Sequence, residues 1–236
     1  MRKSRWGIEH AVFAGATLAT VAGAVVGNER LQQVAKPLIA PALGVRVLRR
    51  RADLEPVDTA LLLGGLAAAT VGDVFMIDPD DDRRLTSGAT SFGVMQAGYS
   101  TLLARHGARP TTAALIPRLA GWAGASALLR SRAPEVAPTL TAYGLVLGTT
   151  STLSADPSLA PGASVVGGMA VPSADRRSWL ALGGLLFTSS DGLIVIRKLF
   201  LRGKTERAVS EGVVLGTYAA AQLLLVEGML ALRRKK

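Results

Sequence analysis

The chain has 236 residues, 49% of them hydrophobic and 19% charged, with no cysteine and a formal net charge of +10. Without cysteine there is neither a disulfide framework nor a thiolate metal site, and the two histidines, His10 and His106, stand too far apart in sequence to suggest a metal cluster. The positive charge invites a nucleic-acid partner, but the charges are bunched between long stretches that lack them, a pattern that basic loops gathered on one face of a membrane explain more simply.

About 20 apolar residues cross a bilayer's hydrocarbon core, and about eight segments approach that length. In chain order they are 8–27, 31–48, 57–77, 86–104, 110–129, 136–153, 178–196 and 208–232. Their Ala, Gly, Leu and Val content suits close helix packing through small residues. A soluble bundle would show polar faces at helical period, and 57–77 shows none. The expected fold is therefore all-α, a polytopic membrane helix bundle of about eight transmembrane helices forming one domain over 1–236. The first segment follows Arg2, Lys3 and Arg5 as in a secretory signal, but because further spans follow it reads as a retained helix. The second is interrupted by Lys36, Pro37, Pro41 and Arg46.

With eight crossings, five basic clusters share one side: Arg2/Lys3/Arg5, Arg46 with Arg49, Arg50 and Arg51, Arg105/Arg109, Arg176/Arg177, and Arg233/Arg234/Lys235/Lys236. That side, with both termini, is expected to be cytoplasmic in a cell membrane. The acidic stretch Asp78, Pro79, Asp80, Asp81, Asp82 then faces outward, and so does a basic stretch from Arg197 to Arg207, which argues against this orientation. Residues 155–178, rich in Pro and Gly, read as a loop or partly re-entrant stretch over the opposite face.

Two apolar segments each contain an aspartate, Asp73 after Thr70-Val71-Gly72 and Asp191 after Thr188-Ser189-Ser190. A carboxylate at membrane depth is costly unless paired, solvated or protonated, which marks both as candidate functional groups. Hydrogen bonding to a neighbouring Thr, Ser or Tyr is the plainer alternative. They lie 191 − 73 = 118 residues apart, half of the 236, and Gly65/Gly183 and Thr70/Thr188 align with them. This hints at two duplicated four-helix halves, though chance alignment explains so sparse a match equally well. The two segments run in the same direction, and each aspartate lies within about two helical turns of its predicted end, so the carboxyls are expected at one depth.

Lys36, Gln96 and Tyr218 reach the same layer from helices that begin on that face, which describes a cavity open to one side. Lys36 either snorkels to the headgroups or serves a phosphate or carboxylate. Gly88, Phe92, Gln96 and Tyr99 share one helix face, and Tyr218 and Gln222 repeat the pairing of amide and phenol on the last segment. Arg118, in the middle of the fifth, is either a buried cation or a snorkelling one. No Gly-x-Ser-x-Gly elbow, phosphate-binding loop or His-Glu-x-x-His occurs.

Lys36-Pro37, Gly72-Asp73, Gly88/Phe92/Gln96/Tyr99, Ser190-Asp191 and Tyr218/Gln222, in that order and spacing over about residues 31–225, resemble the YhhN-like lysoplasmalogenase family of eight-span membrane proteins. The resemblance implies hydrolysis of the vinyl-ether bond of lysoplasmalogens to a fatty aldehyde and a glycerophospho-base. The chain departs from the family in having Gln96 where His is common and Arg84-Leu85 for Arg-Phe. Vinyl ethers hydrolyse by protonation of the β-carbon and attack of water on an oxocarbenium ion, which calls for one carboxylic acid and one carboxylate, as in glycosidases. Asp73 and Asp191 are the expected catalytic pair, with Gln96, Tyr99, Tyr218 and Gln222 orienting substrate or water and Lys36 meeting the phosphate. The expected partner is a lysophospholipid or other lipid, without cofactor, metal or nucleic acid. The competing expectation is a proton-coupled transporter or lipid-handling protein without hydrolase activity, in which the aspartates are proton or cation sites.

Overall fold

The structure, a computed structural model, describes residues 7–232, so the predicted basic clusters at Arg2/Lys3/Arg5 and Arg233/Arg234/Lys235/Lys236 lie outside the described residues. Among the described residues nine α-helices follow in order: α1 (Ile8–Val26), α2 (Glu29–Ala35), α3 (Ile39–Arg50), α4 (Pro56–Phe75), α5 (Asp82–Arg105), α6 (Thr112–Arg132), α7 (Ala137–Ser154), α8 (Trp179–Phe200) and α9 (Lys204–Ala231). Among the described residues the only strands are those of a short hairpin, β1 (Val165–Val166) and β2 (Met169–Ala170).

Every predicted segment is helical, but the second is two helices joined by a 3-10 turn over Lys36–Leu38. Pro37 and Pro41 lack the N–H groups that would bond one turn back, so the ladder tightens there. Lys36 keeps right-handed helical angles (φ −58°, ψ −47°), and the path kinks without stopping.

Among the described residues four helical stretches are long and apolar enough to cross a membrane: Ile8–Val26, Pro56–Phe75, Arg176–Phe200 and Lys204–Ala231. Large apolar side chains stand on the outer surface, among them Leu18 at 71%, Val94 at 60% and Ile116 at 62% exposure. Water would penalise such a surface and lipid would not, so the chain is a membrane-embedded helical bundle. In α5 the mean hydropathy is lowered by hydroxyls that never reach solvent as free groups: Thr86, Thr90, Ser91 and Thr101 each donate to the carbonyl four residues back.

α4 packs along α5 and α8 along α9; α1 lies on α9, α3 on α4, and α6 leans on α7. Ion pairs tie both ends of the bundle. At one end the buried Glu227 of α9 accepts from Arg46 Nε of α3 at 2.8 Å, from Arg176, and meets His10 Nε2 of α1 at 3.1 Å. Arg105 Nε of α5 donates to Asp58 of α4 at 3.1 Å at that end too. At the other end the acidic loop after α4 meets the turn between α8 and α9, with Asp80 holding Arg197 and Arg207 and Asp82 holding Lys198. Arg197, Lys198 and Arg207 of the basic stretch are therefore paired with the acidic loop beside it. In that loop Asp81 caps α5, and the backbone N–H of Arg84 donates to it at 2.9 Å, holding its exposed carboxyl below the usual range.

Residues 155–178 fold over the end of the bundle where α7 stops and α8 begins. Trp179 Nε1 donates to Ser173 O at 2.8 Å, and the hairpin turn at Gly168 rests on Ala113 at the start of α6. Because α1, α3, α9 and the turn before α8 converge on one carboxylate, Glu227→Ala is expected to cost about 3–5 kcal/mol. Thermal unfolding of the purified protein in detergent measures this as a clear fall in Tm.

Candidate functional site

Asp73 sits in the last turn of α4 and is fully buried. Its position follows from the glycine before it. A Cβ on Gly72 would stand 2.8 Å from the Phe92 ring, so only glycine lets α5 bring that ring onto the α4 backbone. Asp73 then turns toward α9, where Tyr218 Oη donates to its Oδ2 at 2.9 Å. Behind Tyr218, Gln222 Nε2 donates to the phenol oxygen at 3.3 Å, and Gln222 Oε1 accepts from Tyr99 Oη at 3.1 Å. The other carboxyl oxygen, Oδ1, is buried with no hydrogen-bond partner among the described residues.

Lys36 does not snorkel. It is 4% exposed, its Nζ donates to Met76 O at 2.6 Å, and it lies in the electrostatic neighbourhood of Asp73 and Glu211. Arg84 donates to Val74 O and Phe75 O. Two cations thus meet the carbonyl end of α4, where the helix carries partial negative charge.

Asp191 lies on α8, and its carboxyl accepts from Tyr143 Oη of α7. Its neighbour Ser190 is occupied elsewhere, donating to Val214 O at 2.9 Å and pinning α8 to α9. Gln96 is fully buried with its amide beside the Tyr143 hydroxyl, though not in hydrogen-bond geometry. Asp73 and Asp191 line one cavity of about 450 Å³, among largely apolar side chains from α4 to α9. Phe92, Phe187 and Tyr218 form an aromatic corner of it, packed edge to face with centroids 5.6 Å apart for both Tyr218 pairs and 6.3 Å for the Phe pair.

Of the sequence-predicted residues, Lys36, Asp73, Asp191 and Tyr218 line the cavity, while Gln96, Tyr99 and Gln222 are fully buried away from its wall. Tyr99 and Gln222 support Tyr218 from behind, and Gln96 adjoins the Tyr143–Asp191 pair. Sequence reasoning missed Tyr143, although the chain has only three tyrosines and all of them stand in this polar layer. It also missed Glu211, Phe187 and the seat of Arg118 on the cavity wall. The depths differ along the helices: α4 ends two residues after Asp73, whereas α8 runs on to Phe200, past the predicted end at 196. Arg197 and Lys198 hold that extra turn against the acidic loop. Nor is the bonding repeated between the halves, because Asp73 takes its phenol from α9 and Asp191 from α7.

The YhhN family model matches residues 31–229, which takes in every element of the site. The chain belongs to the YhhN family. Neither the curated proteins nor the solved structures give a match. In this YhhN protein the matched region starts five residues before Lys36 and ends seven after Gln222.

Two substitutions test the geometry. Gly72→Val forces Phe92 off α4 and is expected to destabilise the fold by about 1–3 kcal/mol, read as a lower Tm in detergent. Tyr218→Phe removes the donor to a buried carboxyl while keeping the ring. A similar loss of about 1–3 kcal/mol is expected in the same melting assay, with Phe92 and Phe187 still packed.

Proposed function

We propose that this protein is an integral membrane hydrolase of ether lysophospholipids, cleaving the vinyl-ether bond of a lysoplasmalogen. The observation that carries the reading is that two carboxyls from different helices, Asp73 fully buried and Asp191 half-buried, line one largely apolar cavity. One carboxylic acid delivers its proton to the β-carbon of the enol ether, and the α-carbon becomes an oxocarbenium ion. The other carboxylate takes a proton from water as its oxygen attacks that carbon. The hemiacetal formed then collapses, with the proton returned to the leaving glycerol oxygen, to aldehyde and glycerophospho-base.

The surroundings suit each step. Asp73 has the Lys36 cation near it, whereas among the described residues Asp191 has no ion pair and accepts from a neutral phenol, an asymmetry that suits one acid and one base. The faces of Phe92, Phe187 and Tyr218 carry negative quadrupole density that favours a passing cation. Apolar walls suit the hydrocarbon carbons next to the enol ether. The chemistry needs no nucleophilic side chain and no cofactor.

In the same reading about eight segments cross a cell membrane, α2 and α3 acting as one kinked span. The end of the bundle carrying Arg46, Arg105 and Arg176 is cytoplasmic, with both termini, and the acidic loop is outside. One observation favours a second reading, a proton-coupled transporter or lipid-handling protein: Gln96, which cannot titrate, stands beside Tyr143 where the resembling family commonly has His.

Purified protein given a vinyl-ether lysophospholipid is expected to release aldehyde. Asp73→Asn and Asp191→Asn should each lower the rate by about 100-fold or more, with Tm values showing that both variants fold. Uptake into liposomes driven by a proton gradient, without aldehyde, would decide for the transporter.

A further inference from the structure

Arg118 stands half-buried on α6 and lines the same cavity as the two aspartates. A guanidinium has five N–H donors. Here Nε donates to Ser151 Oγ of α7 at 2.7 Å, one terminal nitrogen to Ala114 O of its own helix at 2.9 Å, and the other lies 3.8 Å from Met169 Sδ of the hairpin. All three partners are neutral, and a thioether is a weak acceptor. Among the described residues no carboxylate stands within ion-pair distance of Arg118. Other buried arginines in the chain are answered differently: Arg46 meets Glu227, and Arg197 meets Asp80 and Glu211.

A cation on an apolar wall is costly until an anion joins it. Since the protein brings none, the ligand is the natural source. The planar fork of arginine matches the oxygens of a phosphate, and a soft contact to sulfur on one nitrogen is easily exchanged for it. Lys36, the sequence-based candidate for this task, is instead held by the carbonyl of Met76.

Position supports the same assignment. Ser151, which holds Arg118, and Tyr143, which holds Asp191, are eight residues apart on α7, about 12 Å along its axis. The guanidinium and the carboxyl come from α6 and α8, which both pack on α7, and line the same cavity. In a glycerophospholipid the glycerol carbons separate the ether oxygen from the phosphate ester, so one molecule can engage both groups. A second recess of about 230 Å³ on the outer side of the α6–α7 seam shares Arg118, Trp122, Gly144 and Gly148 with the main cavity. The cation is thereby reachable from the lipid side.

We propose that Arg118 is the phosphate ligand of this cavity, binding the headgroup of a lysophospholipid so that its ether bond lies at the aspartates. The proposal rests on the hydrolase reading for the bond that is cleaved, but not for the binding of the anion. The test measures affinity of the full-length protein in detergent for two uncleavable ligands, a saturated 1-alkyl lysophosphatidylethanolamine and the 1-alkylglycerol that lacks its phosphate. Wild type is expected to prefer the phosphorylated ligand by about tenfold or more. Arg118→Gln should abolish the preference and Arg118→Lys keep part of it. Ser151→Ala, which frees Nε and also removes the Ser151 Oγ donation to Gly184 O at 3.2 Å, should weaken it a few-fold.

Melting curves identify any variant that fails to fold, in which case Arg118→Lys and Ser151→Ala carry the test. A folded Arg118→Gln that retains the preference overturns the proposal, and so does a wild type that shows none. Inorganic phosphate that binds as tightly as the lipid, without competing with it, assigns the site to the free anion and overturns the headgroup role. Aldehyde release from the vinyl-ether analogue is followed in parallel. Its absence with the preference intact defeats the hydrolase reading alone, and its presence with the preference unchanged in Arg118→Gln defeats the phosphate site alone.

Discussion

The structure turns on the solvation of two carboxyl groups by phenols in a medium without water. Burying an acid in a helix bundle is costly unless a donor replaces its hydration shell. Tyr218 and Tyr143 do this for Asp73 and Asp191, from α9 and α7 respectively. Neither phenol is local in sequence to its acid, so each bond forms only when distant helices have docked. Correct assembly of α4 on α9 and of α8 on α7 is thus coupled to satisfying the most costly groups in the chain.

The rest of the packing serves that requirement. Small residues draw the helices together, so that Phe92 lies on the backbone at Gly72 and Tyr99 on that at Gly65. The amide of Gln222 links Tyr99 to Tyr218 and fixes the phenol's direction. Ionic contacts at the two ends keep the helices in register: Glu227 gathers α1, α3 and the turn before α8, and Asp80 gathers the turn between α8 and α9. Membrane helices have little hydrophobic drive to associate, and here polar ends and close apolar seams supply it.

Much of this was legible in the residues. Long apolar runs located the helices, with α2 and α3 read as one, because a membrane helix satisfies its own backbone bonds, and Asp73 and Asp191 stood out because acids in such runs are rare. Lys36 and Tyr218 were placed correctly on the cavity by their depth along the chain. What stayed hidden depended on rotation and tertiary pairing. Tyr143 lies in a helix without a pronounced polar face, so nothing local tied it to Asp191. Gln96, Tyr99 and Gln222 share the right layer but point behind the cavity wall, a distinction that depth alone cannot make. The extra turn of α8 arises from ion pairs with residues more than a hundred positions away, Arg197 with Asp80 and Lys198 with Asp82.

The size of the central cavity, about 450 Å³, has its own consequence. It lies in the range of pockets that enclose a small organic molecule, roughly 300–1,000 Å³, and offers little room for a long hydrocarbon tail in addition to a polar head. Most of any such tail would then lie outside the cavity, among the surrounding acyl chains. Discrimination by tail length would then be exercised by solubility in the bilayer, and the protein itself would select on the few atoms nearest its acids.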